Sequence, residues 1–154
     1  MSDQLFQFVE RALQIRQPLI DDAAVDAYRI FNGQADGIAG LVIERFGDVL
    51  IVQLHEQRLR FAVDEVRTLV GTVHEQLSTR AVYRKMFVRD RSKLSADISR
   101  MHASAKPWIG QPVEPQLMIN EDGLRFMVRP YGGFSVGLFL EHRDNRRRIR
   151  ELAD

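Results

Sequence analysis

The segment with the strongest suggestion of cofactor chemistry is the glycine turn Tyr131-Gly132-Gly133-Phe134-Ser135. Glycine turns that join a strand to a helix can bind nucleotide phosphates, because the backbone amides approach the phosphates closely. Such a site also needs a parallel βαβ unit and an acidic residue about 20 positions further on. Only 19 residues follow Ser135, and their pattern contains no second buried parallel strand. We therefore interpret the segment as a turn and expect this chain to bind no cofactor by itself.

The sequence also lacks an arrangement of side chains that is typical of catalysis or metal binding. Its four histidines do not have the spacing of metal ligands. Glu141 and Asp144 would share one helix face, but the arginines around them favour salt bridges. The chain contains no cysteine, which excludes disulfides, thiolate zinc sites and a cysteine nucleophile. We therefore predict no catalytic residue and no metal site within it.

Basic residues are concentrated in one part of the chain. The 154 residues have a net charge of +1, but residues 80–106 contain eight basic and two acidic side chains. Nineteen of the 22 basic residues are arginine, which pairs with phosphate through two parallel hydrogen bonds. The local excess favours a polyanion partner, although a solvated basic surface would have the same composition. The candidate residues for contact with such a partner are Arg84, Lys85, Arg89, Arg91, Lys93 and Arg100, and the aromatic candidates for stacking are Tyr83, Phe87 and Trp108.

The elements that must position these side chains can be predicted from apolar periodicity. Apolar residues four apart indicate a helix in the N-terminal segment 1–20, and Pro18 is expected to end it. A strand at 28–31 and a loop with three glycines precede two apolar runs that flank Gly47-Asp48, which predicts a hairpin. An apolar stripe over 59–77 then predicts the main helix, and a further strand begins at residue 81.

The second half of the chain is less regular. Residues 84–106 have poor periodicity, which indicates a loop that is partly mobile. A second hairpin is predicted around Glu121-Asp122-Gly123, followed by a short strand at 136–140 and an arginine-rich helix to the end. The fold class is therefore α+β, with a mixed β-β-α-β-β sheet, helices on one face, an N-terminal helix and a C-terminal linker helix.

Two blocks of the sequence carry a recognisable pattern. The first is residues 28–48, from Tyr28-Arg29 through the glycine loop to Gly47-Asp48. The second combines residues 119–124 with the run from Gly137-Leu138-Phe139-Leu140 to Arg146. Together they resemble the family of S-adenosylmethionine-dependent large-subunit ribosomal RNA methyltransferases, whose members methylate carbon 5 of cytosine or nitrogen 7 of guanine.

The resemblance implies a position for this chain within a longer enzyme. Residues 1–20 would be an N-terminal helix, and residues 21–140 an α+β domain on the substrate side. Residues 141–154 would form a linker helix leading to a missing Rossmann-like methyltransferase domain, which would bind S-adenosylmethionine in the full-length enzyme. The resemblance also implies that Gly137, Phe139, Arg143 and Asn145 line the approach to that cofactor.

The function predicted from the sequence is that of an RNA-binding domain of a cytoplasmic, S-adenosylmethionine-dependent RNA methyltransferase, inactive by itself. Its expected partners are ribosomal RNA and its own downstream methyltransferase domain. No apolar run approaches the roughly 18 residues that a membrane span needs, so we expect no membrane partner. Two alternatives stay open, a structural or dimerisation domain without RNA contact, including a homodimer, and a small stand-alone enzyme.

Overall fold

The computed structural model describes residues 2–90, 92 and 94–153, and its centre is a five-stranded sheet. The strands follow the spatial order β1 to β5, and only β3 and β4 are parallel to each other. This mixed sheet with packed helices confirms the predicted α+β class. No helix in the described part of the chain is long and apolar enough to cross a membrane. The strands are β1 (Ala27–Asn32), β2 (Leu41–Phe46), β3 (Val49–His55), β4 (Ala81–Phe87) and β5 (Ile109–Gly110).

Helices α1 (Ser2–Ile20) and α2 (Val63–Gln76) cover one face of the sheet. Helix α2 is the crossover that connects β3 to the parallel strand β4, a connection that parallel strands require. Both helices bury the apolar stripe that the sequence predicts, and these stripes form the main core with the apolar side chains of the sheet. The buried helix residues are Leu5, Val9, Ala12, Val66, Leu69, Val70 and Val73.

A two-stranded hairpin, β6 (Leu117–Glu121) and β7 (Leu124–Val128), packs on the opposite face. Its turn residues Asp122 and Gly123 both have positive φ, which suits the tight turn between these strands. Helix α4 (Arg143–Ala153) follows and is held to the hairpin by an ion pair of 2.7 Å between Arg146 and Glu121. The opposite face of the sheet therefore carries a second, smaller core.

The glycine loop between β1 and β2 is required by the backbone geometry. All three of its glycines have positive φ, which favours glycine over other residues. At Gly40 a Cβ atom would also lie 2.6 Å from the backbone nitrogen of Leu59. The loop consequently brings the start of β2 against the segment that follows β3, where the His55 amide donates a hydrogen bond to the Gly40 carbonyl.

Three local predictions differ from the structure. Residues 136–140 form no strand, because the chain turns at Gly137, where φ is 96°. Pro18 lies inside α1, two residues before its end, where the missing amide costs a single hydrogen bond. The basic stretch contains α3 (Ala96–Ala103), a helix without an apolar stripe because its one buried residue is the polar His102. Periodicity therefore could not reveal that helix.

Candidate nucleic-acid interface

A pocket of about 390 Å³ opens at the edge of β4, between α2, α3 and the segment that precedes β5. We call it the basic pocket because Arg67 of α2, Arg84 of β4 and Lys106 line it. Trp108, the single tryptophan of the chain, lies among these cations. The full lining is Arg67, Tyr83, Arg84, Lys85, Met101, His102, Ser104, Lys106, Pro107 and Trp108.

The pocket exists because β5 is only two residues long. It pairs with Ala81 and Val82, and the Trp108 amide donates a further hydrogen bond of 2.7 Å to the Val82 carbonyl. Beyond this point β4 has no neighbouring strand on that side among the described residues. Helix α3 covers part of the free edge, where the Met86 amide donates to Nε2 of His102 at 2.8 Å. The remaining gap between α3 and α2 forms the basic pocket.

The cations of the basic pocket have no carboxylate partner in the part of the chain that the structure describes. Within the described residues, none of the ion pairs includes Arg67, Arg84 or Lys106. Burial and the charge of Arg67 both lower the pKa of the Arg84 guanidinium, so the two like charges interact. Converging cations of this kind are stabilised by an anion, and arginine matches phosphate geometry particularly well.

Contacts to sulfur and aromatic groups fix the Arg84 side chain in place. Its guanidinium lies 5.2 Å from the centre of the Trp108 ring, and its Nε donates to the Met101 sulfur at 3.0 Å. Arg67 donates to the Trp108 carbonyl at 3.2 Å. These contacts use only part of each guanidinium, so donors remain for an anion in the pocket.

The structure separates the six predicted RNA-binding residues. Arg84 lines the basic pocket, and Arg89 is exposed just beyond β4. Arg100 is exposed on α3 and forms an ion pair with Asp97, while Arg91 and Lys93 lie outside the described residues. Two further cations of the pocket are not among the predicted residues: Arg67, which is exposed on α2, and Lys106. The sequence shows only that Arg67 is a charged residue next to the apolar stripe of α2, which indicates an exposed side chain and no particular partner.

Lys85 must be removed from the predicted RNA-binding residues, because its side chain is 1% exposed. Its ammonium group donates a hydrogen bond to the Gly133 carbonyl and lies 3.5 Å from the His102 carbonyl. Alternation along β4 places Lys85 on the face opposite Arg84, below the glycine turn. Burial lowers its pKa to about 8. Lys85 therefore fastens the glycine turn to the sheet.

The low pKa of Lys85 predicts that stability rises with pH. An unfolded chain holds this proton up to the ordinary pKa of 10.5, whereas the folded chain releases it near 8, so folding becomes more favourable across that interval. Between pH 7.5 and 9.5 we expect the free energy of unfolding to rise by about 2 kcal/mol. Urea denaturation at both pH values measures this, and Lys85→Met should remove the rise. An equal rise in the variant would contradict the assignment.

Of the three predicted stacking residues, Tyr83 and Trp108 line the basic pocket, and of these two only Trp108 is partly exposed. Tyr83 is buried and its hydroxyl donates to the Ala105 carbonyl at 2.8 Å. Phe87 stacks on His55, with ring centres 4.8 Å apart. Trp108 is half-buried and lines the basic pocket.

The residues expected to line the cofactor approach do not converge on one site in this chain. Arg143 donates two hydrogen bonds to Asp122, at 2.9 and 3.0 Å. Asn145 is exposed with its amide 3.4 Å from the His142 ring, and the Gly137 amide donates to Ser135 at 3.0 Å. Phe139 is 58% exposed and lines a second pocket.

This second pocket, of about 280 Å³, lies on the hairpin side of the sheet. Its floor is polar: Nε and Nη2 of Arg29 donate to Oε1 of Glu44, and Gln53 donates to Oε2 of the same carboxylate. Burial raises the pKa of Glu44, although the nearby Arg29 opposes this effect. We call it the aromatic pocket, lined by Arg29, Glu44, Ile51, Gln53, Phe87, Phe134, Ser135, Val136, Leu138, Phe139 and Glu141.

The aromatic pocket is not among the sites predicted from the sequence. Its signal in the sequence is Glu44, a charged residue that alternation along β2 places on the same face as Val42 and Phe46. Only the pairing of β1 with β2, which sets Arg29 directly opposite Glu44, shows how that charge is neutralised.

Comparison with known proteins finds relatives that are named as ribosomal RNA methyltransferases. No protein-family model matches the sequence. The chain is 27% identical over 146 residues to "Ribosomal RNA large subunit methyltransferase I" of Citrobacter koseri, covering 95% of this chain and 35% of that protein. The protein of the same name from Shewanella amazonensis is 32% identical over 141 residues, covering 90% of this chain and 33% of that protein.

A solved structure shows the same fold. It is the structure of a Streptococcus mutans protein that is named as a SAM-dependent methyltransferase. The match has a TM-score of 0.73 and 22% sequence identity, and it covers 96% of this chain and 35% of that one. The chain thus spans about a third of the length of the proteins that it matches.

Proposed function

We propose, from the confirmed relationship of this chain to a segment of the large-subunit ribosomal RNA methyltransferases, that it is their substrate-side domain and binds single-stranded RNA. The observation that carries the proposal is the basic pocket. It combines three cations that have no carboxylate partner among the described residues with one aromatic ring. Cations that contact phosphates next to an aromatic stacking surface are typical of proteins that bind single strands.

The region around the pocket supports the same partner. Residues 1–79 contain seven basic and twelve acidic side chains, whereas residues 80–106 contain eight basic and two acidic ones. This contrast concentrates positive potential around β4 and α3 and would orient an approaching polyanion. Arg89 and Arg100 are both exposed in this part of the chain and would extend the contact beyond the pocket.

The residues of this chain do not fit S-adenosylmethionine by themselves. The parallel strands β3 and β4 are joined through α2, but the segment 56–62 that leads into α2 contains no glycine. The glycine turn at 131–135 has its Gly133 carbonyl occupied by Lys85, and no helix begins directly after it. We therefore assign cofactor binding and methyl transfer to the part of the relatives that this chain does not span. Gly137, Phe139, Arg143 and Asn145 would face that part.

The test is RNA binding as a function of salt, measured by the fluorescence of Trp108. We expect single-stranded fragments of ribosomal RNA to change this fluorescence and to bind with micromolar-to-submillimolar affinity. The three cations of the basic pocket should contribute about −2 to the slope of log K against log salt, since each phosphate contact contributes about −0.7. A Trp108→Phe variant followed by fluorescence anisotropy controls for the probe. Absence of binding at 50 mM salt, or a slope near zero, would refute the proposal.

A further inference from the structure

The basic pocket places three cations and one indole ring around a single small cavity. We propose that this cavity also binds a free nucleoside 5′-diphosphate, whose phosphates lie between Arg67, Arg84 and Lys106 and whose base stacks on Trp108. The nucleotide would then compete with RNA for the pocket. The competition rests on the proposed function, whereas the nucleotide site itself does not.

The charge of the pocket matches two linked phosphates. Each nucleotide of an RNA strand carries one negative charge, so a strand must extend over three nucleotides to neutralise three cations. In a nucleoside diphosphate the inner phosphate carries one charge and the terminal phosphate about −1.5 to −2 at pH 7, so nearly three charges lie in two adjacent groups. Arg67, Arg84 and Lys106, which have no carboxylate partner among the described residues, complement such a group.

The two arginines of the pocket are positioned before a ligand binds. Arg67 donates a hydrogen bond of 3.2 Å to the Trp108 carbonyl, and the Arg84 guanidinium lies 5.2 Å from the centre of the Trp108 ring. Burial and the charge of Arg67 lower the pKa of Arg84, so the two guanidinium groups repel each other. A multivalent anion relieves this repulsion, and side chains that are already fixed lose little freedom when it binds.

The size and lining of the cavity suit a small ligand. Its volume of about 390 Å³ lies within the range of about 300–1,000 Å³ that is usual for small-molecule sites. Trp108 is half-buried, and stacking on an aromatic ring tolerates any base, so the geometry selects no particular base. The lining contains no carboxylate that could hold Mg²⁺, so the pocket favours the metal-free nucleotide.

The pocket wall also contains a buried donor without an acceptor. His102 lines the pocket and is 2% exposed. Its Nε2 accepts a hydrogen bond of 2.8 Å from the Met86 amide, so the proton of the neutral ring is on Nδ1. Among the described residues Nδ1 has no hydrogen-bond partner, which is costly for a buried polar group. A phosphate oxygen bound deep in the pocket would supply the missing acceptor.

Calorimetric titration of the chain with ADP, at about 50 mM salt and without magnesium, tests the nucleotide site. We expect ADP to bind about tenfold more tightly than AMP, which lacks the second phosphate, and than pyrophosphate, which lacks the base. Excess Mg²⁺ should weaken ADP binding several-fold, because the metal occupies the same phosphate oxygens. Equal affinities for ADP and pyrophosphate would indicate an anion site only and would overturn the inference.

Two variants locate the site. Arg84→Gln and Lys106→Gln should each weaken ADP binding about tenfold. Lys106 is exposed, so its variant tests the site even if Arg84→Gln disturbs the fold. Arg125→Gln is the matched control, because Arg125 is exposed on β7 and does not line the pocket, and it should leave the affinity within about twofold. Unchanged ADP binding in both pocket variants would place the nucleotide elsewhere and overturn the inference.

NMR and competition complete the test. ADP should shift the ¹H–¹⁵N signal of His102 Nδ1 and displace a labelled RNA oligonucleotide from the chain. RNA binding without ADP binding, or RNA that ADP does not displace, refutes this inference alone. ADP binding without any RNA binding supports the nucleotide site and refutes the proposed function. Displacement of ADP by S-adenosylmethionine, which carries no phosphate, would show that the pocket holds the cofactor and would overturn the inference.

Discussion

Replacing Arg67, Arg84 and Lys106 together by glutamine is expected to weaken the binding of single-stranded RNA at least about 30-fold at 50 mM salt. Each of these side chains would neutralise one phosphate, and none has a carboxylate partner within the described residues. The slope of log K against log salt should become less steep by about 2, because three contacts of about 0.7 each are lost. Fluorescence anisotropy with a labelled oligonucleotide measures both quantities.

The matched control changes the net charge equally at a distance from the basic pocket. Arg11, Arg58 and Arg125 are exposed and line neither the basic pocket nor the aromatic pocket. Their replacement by glutamine should reduce affinity by no more than a few-fold through long-range screening. Thermal unfolding of both triple variants checks that the fold persists. Equal losses of affinity in the two variants would show that total charge, rather than the basic pocket, determines binding.

Arg146→Ala is expected to lower the free energy of unfolding by about 2–3 kcal/mol. Arg146 donates two hydrogen bonds of 2.7 Å to Glu121, whose side chain is 2% exposed, so the variant leaves a buried carboxylate without its partner. The same guanidinium donates to the Phe139 carbonyl at 2.9 Å and lies 5.6 Å from the centre of the Phe126 ring. Urea denaturation followed by circular dichroism measures the loss.

Two variants determine whether the buried carboxylate causes that loss. Arg147→Ala removes an exposed arginine from the next position of α4 and should change stability by no more than about 0.5 kcal/mol. Adding Glu121→Gln to Arg146→Ala should restore part of the stability, because a neutral amide is less costly to bury than an unpaired carboxylate. If Arg146→Ala behaves like Arg147→Ala, the helix is not held by this ion pair.

The arginine-rich helix α4 could be predicted from the sequence, but its contacts could not. The sequence indicates a terminal helix with few apolar residues, and Ile149 and Leu152 are indeed 66% and 87% exposed. It does not indicate that Arg143 and Arg146 hold the helix to Asp122 and Glu121, which lie 21 and 25 residues earlier in the chain. Ion pairs leave no periodic signal, because the charges are compatible with many partners until the hairpin turn positions two of them.

The sequence by itself determined the elements whose residues repeat with a regular period. The stripe of α2 and the Gly47-Asp48 hairpin follow from local rules, because the spacing of apolar residues shows which face of a helix or strand is buried. The resemblance to large-subunit ribosomal RNA methyltransferases also rested on local blocks of residues, and the relatives confirm it. The concentration of positive charge in residues 80–106 could likewise be read without coordinates.

Only the tertiary structure decided which of these charges face a common pocket. Arg84 and Lys85 are adjacent in sequence and both border the basic pocket, yet strand alternation leaves Arg84 partly exposed and buries the Lys85 ammonium beneath the glycine turn. Arg67 joins Arg84 from a helix 17 residues earlier, because α2 crosses over the sheet beside β4. Burial and convergence depend on which elements pack together, and that is a property of long-range contacts that no local pattern contains.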